Sequence, residues 1–181
     1  MSLLTELARR RRAVNVLIAI AVAAMLGYAL YAQRQLGLEP CPLCIFQRVG
    51  IAALGAVALL AALHGPRSPW GRRCYALTGL IAGGATVGVA ARHIYIQSLP
   101  PGSVPSCGST LDFMLEVLPL TDVVRKVLTG GGECAQIDWR FAGLTMPQWV
   151  LLAAALLTAV FVIANWRRDT PDQASRLQSI R

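Results

Sequence analysis

Apolar residues run almost unbroken through four stretches of this chain, 13–31, 45–63, 74–91 and 149–166, and polar residues are gathered between and beyond them. A helix that crosses a bilayer needs about 20 mostly apolar residues. Each stretch is long enough. The pattern therefore predicts an all-α membrane protein, a bundle of four transmembrane helices forming a single domain over residues 1–181, with one long loop over residues 92–146.

That loop is far longer than the roughly 4–6 residues that usually join two elements. Within it Leu111, Met114, Leu115 and Leu118 recur at helical spacing, with Asp112 and Glu116 opposite, which predicts a short amphipathic helix lying on the membrane surface. Pro100-Pro101-Gly102 and Gly130-Gly131-Gly132 flank it with turn-forming or pliant backbone. The spacing leaves two readings open: a loop that swings its cysteines between sites, or a static loop stapled by one disulfide.

Composition agrees with a bilayer as solvent. Hydrophobic residues make up 55% of the 181, charged residues only 14%, and the mean hydropathy is +0.54, which is too apolar for a soluble domain of this size. The first span follows Arg9 to Arg12, as the core of a cleavable signal peptide would. Its apolar run exceeds the ~7–15 residues of such a core, and its small residues sit mid-run, so it reads as a retained anchor.

Charge then sets the topology. Arg9 to Arg12 precede span one, Arg67, Arg72 and Arg73 lie between spans two and three, and Arg167, Arg168, Arg176 and Arg181 follow span four. Eleven of the 17 Lys and Arg residues thus share one side, which the positive-inside rule makes the cytoplasm, with both termini there. The formal charge of +8 is explained by topology, and nucleic-acid binding is not needed to account for it.

Four of the five cysteines then face away from the cytoplasm, on the side where disulfides persist. The fifth, Cys74, sits at the cytoplasmic end of span three and reads as a packing residue. Cys41-Pro42-Leu43-Cys44 stands at the mouth of span two, where proline suits the first turn of a helix. Free amides at that helix end would stabilise a thiolate on Cys41 or Cys44. A C-x-x-C also binds zinc or copper, so the motif alone leaves metal binding open.

Arg48 lies one turn further in, about 6 Å along the axis, at a depth where an unpartnered charge is costly. Its cation would deter a divalent metal and would stabilise a thiolate or an anionic, electron-accepting headgroup beside it. No G-x-G-x-x-G fingerprint for a dinucleotide is present. An acceptor that reaches an intramembrane arginine from the lipid points to a membrane quinone. His93, at the outer end of span three, is placed either to donate a hydrogen bond to a quinone oxygen or to sit solvated at the interface. Gly79, Gly83, Gly84 and Gly88 read as close helix packing, Trp149 and Trp166 as interfacial anchors, and Trp139 either as such an anchor or as a shield for the loop near the quinone.

Pro40-Cys41-Pro42-Leu43-Cys44-Ile45 with Gln47-Arg48, then Leu118-Pro119-Leu120, Cys134-Ala135, Gly143-Leu144 and Met146-Pro147-Gln148-Trp149 together resemble the DsbB family of bacterial inner-membrane proteins. The resemblance covers nearly the whole chain. It implies a four-helix bundle that reoxidises a DsbA-like periplasmic thiol oxidase and passes the electrons to the membrane quinone pool, ubiquinone or menaquinone. It also implies that Cys107 forms the mixed disulfide with the partner and pairs with Cys134, that Cys41 exchanges with Cys134, and that Cys44 contacts the quinone. Arg48 and His93 would bind the quinone.

Two other classes compete. An enzyme resembling vitamin-K-epoxide reductase also joins four helices to a quinone, but its C-x-x-C comes after the loop cysteines, the reverse of the order here. A metal-handling membrane protein would use the cysteines as ligands and would tolerate loss of Arg48.

Overall fold

The computed structural model of the chain describes residues 10–100, 116, 118–129 and 132–166. Its elements are α1 Arg11–Gln35, α2 Pro42–His64, α3 Pro69–Gln97, α4 Leu120–Thr129, α5 Gly132–Ala135, β1 Arg140–Phe141, β2 Leu144–Thr145 and α6 Met146–Trp166. The four long helices contain the four predicted spans, and each is long and apolar enough to cross a membrane. They also overrun those spans: α1 continues through Gln33, Arg34 and Gln35, and α3 starts at Pro69 and runs on to Gln97. Polar side chains at helix ends reach the headgroup layer, so apolar runs alone understate helix length.

Local chemistry sets the ends. Ser68 accepts a hydrogen bond from the Gly71 amide at 3.1 Å to cap α3, with Pro69 in the first turn. Gly65 ends α2 in the left-handed region, at φ 55°, a conformation glycine adopts without a Cβ penalty.

The long helices form a ring in which α1 packs on α2, α2 on α3 and α3 on α6, while α6 meets α1 more sparsely. Lipid supplies no hydrophobic drive between helices, so close van der Waals contact must hold them. Gly79 backs directly onto the Phe161 ring and Gly83 onto Thr158, leaving no room for a Cβ at either position. At Gly84 and Gly88, grouped with them on sequence grounds, an added Cβ would meet nothing within 4 Å, so neither position is a close approach. Elsewhere the interior is Ile18 and Val22 of α1, Ile51, Leu54 and Ala58 of α2, and Phe161 and Ala164 of α6.

The sparse seam between α1 and α6 is bolted at one end. Asn15 and Asn165, both buried, exchange side-chain amide hydrogen bonds of 3.3 and 3.0 Å, and Asn165 also donates to the Phe161 carbonyl at 2.8 Å. The opposite end of the bundle, which carries Cys41, is built up by the short elements. Val123 and Val127 of α4 are buried in a cluster with Leu43, Ile96 and Cys134. The two strands pair Arg140 with Thr145 and Phe141 with Leu144. Their turn residues Ala142 and Gly143 both have positive φ, 50° and 80°, the backbone a two-residue primed hairpin turn demands.

Neither α4 nor the hairpin is anticipated by the sequence pattern. The amphipathic helix expected around 111–118 falls almost wholly outside the described residues, as do Cys107, Pro101-Gly102, Gly130-Gly131 and the basic residues after Trp166.

Candidate functional site

The first turn of α2 gathers the sulfurs. Cys41 is its N-cap residue in extended backbone, Pro42 opens the helix, and the Cys41 carbonyl accepts from the Ile45 amide at 3.1 Å. This turn places the two thiols of the C-x-x-C 3.2 Å apart, in contact and unbonded. The third sulfur arrives from α5. Cys134, with 1% of its surface exposed, meets Cys41 sulfur to sulfur and faces the Leu43 amide. Its hydrogen bond with Cys41 and then its burial push the Cys134 thiol well above the ordinary thiol range. Three of the four cysteines predicted to carry chemistry therefore share one locus. The fourth, Cys107, lies outside the described residues.

His93 enters this locus from α3 and is 2% exposed. Its Nε2 lies 3.1 Å from the Cys134 carbonyl oxygen and 3.8 Å from the Cys41 sulfur, and its Nδ1 lies 3.0 Å from Nε2 of Gln47 and 4.0 Å from the Cys44 sulfur. The ring is enclosed between sulfurs and protein polar groups and is not a solvated interfacial side chain. It also lines the cavity described next.

Arg48 points across to α1. Its Nη1 donates to Gln33 Oε1 at 2.7 Å and its Nη2 to the Ala29 carbonyl at 3.2 Å. The guanidinium, half-buried, is thus held against α1 by two hydrogen bonds. Beside it opens a cavity of about 630 Å³, lined by Cys44, Arg48 and His93 together with apolar walls from Met25, Ile51 and Val150. That volume lies within the ~300–1,000 Å³ of small-molecule sites, which are mostly apolar with a few placed polar groups.

Trp139 also lines the cavity. Its ring stacks on Phe141 at 6.1 Å and meets Tyr28 edge-on at 6.3 Å, so it forms part of a wall of the cavity. Trp149 donates to the Phe141 carbonyl at 3.1 Å and holds the hairpin to α6. Gln97 joins the loop to the bundle: its Nε2 reaches the Gln136 carbonyl at 3.5 Å and its Oε1 accepts from the Thr145 hydroxyl at 3.1 Å.

Gln33, Gln47 and Gln97 escape the sequence reading of the site. The available signal was their uncharged polarity in or at the ends of apolar helices, where polar side chains usually bond across to a neighbour. As to what the site could hold, the ligand atoms of Cys41, Cys44 and His93 lie within 4.8 Å of one another, close enough to share a soft metal ion. Both ring nitrogens already have protein partners, and a metal would have to displace one of them. The cavity, with Arg48 at one side, apolar and aromatic walls from residues such as Met25, Ile51 and Trp139, and polar groups such as Glu39 and Gln97 in the rest of its lining, suits a planar, partly polar ring.

Four spanning helices and a cluster of redox-capable thiols at one end define a multi-pass membrane disulfide oxidoreductase. Comparison with known proteins gives the class its family. The family model described as "Disulfide bond formation protein DsbB" matches residues 11–164, and the chain belongs to that family. Relatives named disulfide bond formation protein B include one from Xanthomonas axonopodis pv. citri, 51% identical over 133 residues, which is 74% of this chain and 77% of the relative. Another, from Acinetobacter baumannii, is 48% identical over 149 residues, covering 82% and 87%. One from Marinobacter nauticus is 44% identical over 155 residues, covering 86% and 92%.

Proposed function

We propose that this protein is a protein-dithiol:quinone oxidoreductase of the bacterial inner membrane, a single domain with both termini in the cytoplasm and its redox cysteines facing the periplasm. It reoxidises a DsbA-like thiol oxidase and delivers the electrons to the quinone pool, ubiquinone or menaquinone. One observation carries the reading: the Cys41 and Cys44 thiols stand between the cavity that holds Arg48 and the buried Cys134. A pair so placed can exchange with a sulfur on one side and give up electrons on the other.

In the proposed sequence a thiolate of the partner attacks Cys107, and Cys134 leaves as a thiolate. Cys134 then attacks Cys41, and Cys44 leaves with its electron pair on the cavity side. The partner's second thiol resolves the mixed disulfide, so the partner departs oxidised, two electrons and two protons poorer, and Cys107 is released as a thiolate. Cys107 then attacks Cys134, which re-forms the Cys107–Cys134 bond, breaks the Cys41–Cys134 bond and leaves Cys41 and Cys44 as the reduced pair. Bound in the cavity, a quinone supplies the capacity to accept those two electrons and two protons. Arg48 would hold it through the guanidinium donors left over from Gln33 and Ala29, with Cys44 and His93 beside it, and the apolar part of the wall would limit water at the Cys44 sulfur.

The test is turnover of purified protein with a reduced periplasmic dithiol partner and a soluble quinone. Cys41→Ala, Cys44→Ala, Cys107→Ala and Cys134→Ala should each abolish it, and unchanged turnover in the Cys44→Ala variant would rule the sequence out. The proximity of Cys41, Cys44 and His93 favours a second reading, metal handling. It predicts zinc or copper in the protein as isolated, and activity that survives Arg48→Ala.

A further inference from the structure

Gln47 has no part in the relay as set out above, yet it is 3% exposed and its amide nitrogen is 3.0 Å from His93 Nδ1. The neighbours of the ring fix its tautomer. A carbonyl oxygen can only accept, so Nε2, 3.1 Å from the Cys134 carbonyl, carries the hydrogen. Nδ1 then has a lone pair, and the Gln47 amide donates to it. The result is a chain from α2 through α3 to α5: Gln47 holds the ring, and the ring holds the turn that bears Cys134.

Among the described residues, the same turn is held by little else that is polar. The Cys134 sulfur faces the Leu43 amide, and Gln97 grips the Gln136 carbonyl only at 3.5 Å. Of the hydrogen bonds on this turn, the one from His93 is short and buried on both sides. A buried bond of that kind costs about 1–3 kcal/mol to leave unmade, so the ring orientation matters to the position of Cys134.

We infer that Gln47, acting through His93, is the positioning residue that sets Cys134 for exchange with Cys41. The inference rests on the relay proposed above. In the step concerned, the Cys134 thiolate attacks the Cys41 sulfur of a Cys41–Cys44 disulfide. The Cys41–Cys44 bond breaks, a Cys41–Cys134 bond forms, and Cys44 leaves as a thiolate with the electron pair. One anion enters and one leaves, so no proton and no outside oxidant is needed. Attack must run along the axis of the bond being broken, and misplacement by about 1 Å can cost on the order of a hundredfold.

The experiment uses the full-length protein. Gln47→Leu keeps the bulk and removes the donor, so turnover with a reduced DsbA-like partner should fall about tenfold, and saturating quinone should not restore it. Quenched samples should accumulate the species in which the partner is bonded to Cys107, Cys134 is free and the Cys41–Cys44 disulfide is intact. Gln47→Glu can pair with an imidazolium that carries hydrogens on both nitrogens, accepting from Nδ1–H while Nε2–H still donates to the Cys134 carbonyl, so it should restore turnover to within about threefold. Nitrogen-15 spectra of histidine-labelled wild-type protein should show His93 as the neutral Nε2–H form.

Undiminished turnover in Gln47→Leu, a change confined to the quinone KM, or a failure of Glu to rescue would overturn the inference alone. So would an Nδ1–H form of His93 in the wild type, which needs no variant to fold. Absence of quinone-dependent turnover in the wild type would sink the relay itself and this inference with it.

Discussion

Arg48 on α2 and Gln33 on α1 are joined by a 2.7 Å hydrogen bond at the edge of the cavity. The amide oxygen takes one guanidinium nitrogen, the Ala29 carbonyl takes another at 3.2 Å, and the planar fork is aimed before any ligand arrives. Arg48→Ala should therefore raise the apparent KM for quinone at least tenfold while leaving partner binding nearly intact. Gln33→Leu, which frees the fork without removing it, should raise that KM by about threefold, in line with the roughly 0.5–1.5 kcal/mol of a typical hydrogen bond. Steady-state kinetics with a short-chain quinone separates the two. A weakened partner complex with normal quinone dependence would contradict the assignment.

Cys134 gives a stability that depends on pH. Its thiol is held above the ordinary value by Cys41 and by burial, so the folded, reduced protein keeps a proton that the unfolded chain releases above about pH 8.5. The unfolded state then binds fewer protons, and stability falls as pH rises. Melting of the fully reduced protein in detergent between pH 7 and 10 should show Tm falling above the ordinary thiol range. Cys134→Ala should flatten that slope.

The packing of α3 on α6 separates two adjacent glycines. Gly83→Ala drives a methyl into Thr158 and should cost about 1–3 kcal/mol, as overpacked contacts do. Gly84→Ala faces open space and should be neutral or slightly stabilising, since glycine inside a helix costs about 0.5–1 kcal/mol relative to alanine. Denaturation midpoints in mixed micelles compare the pair directly, and equal losses would refute the packing described.

A double-mutant cycle on Asn15 and Asn165 measures the bolt between α1 and α6. Intramembrane hydrogen bonds average about 0.6 kcal/mol and reach about 1.7. The reciprocal pair belongs at the upper end of that range because two hydrogen bonds are lost together, although Asn165 keeps its bond to the Phe161 carbonyl when Asn15 is removed. A coupling energy near zero would show that the two amides find other partners.

The spans are legible in the sequence because bilayer thickness imposes a length and a composition that few other structures share. Arg48 is legible for the same reason: a charge amid aliphatic residues advertises itself. Gln47 stands one residue before that charge, is neutral, and becomes meaningful only when α3 brings His93 opposite. The buried setting of His93 is likewise set by packing, since nothing near Ile94 fixes which way the helix faces. For α4, Leu120, Val123 and Val127 have helical spacing, but a helix of 10 residues is marginal until it docks on Leu43 and Ile96. The hairpin is harder still. Its strands have two residues each, too few for an alternating pattern, and alanine is an unusual choice for the first left-handed turn position.

The enclosure of Cys134, with 1% of its surface exposed, acts as insulation. A sulfur wrapped in valine, leucine and isoleucine offers glutathione and other small reductants no straight line of approach. In the proposed relay this guards against short circuits, because the sulfurs that complete the contact are ones the protein itself delivers.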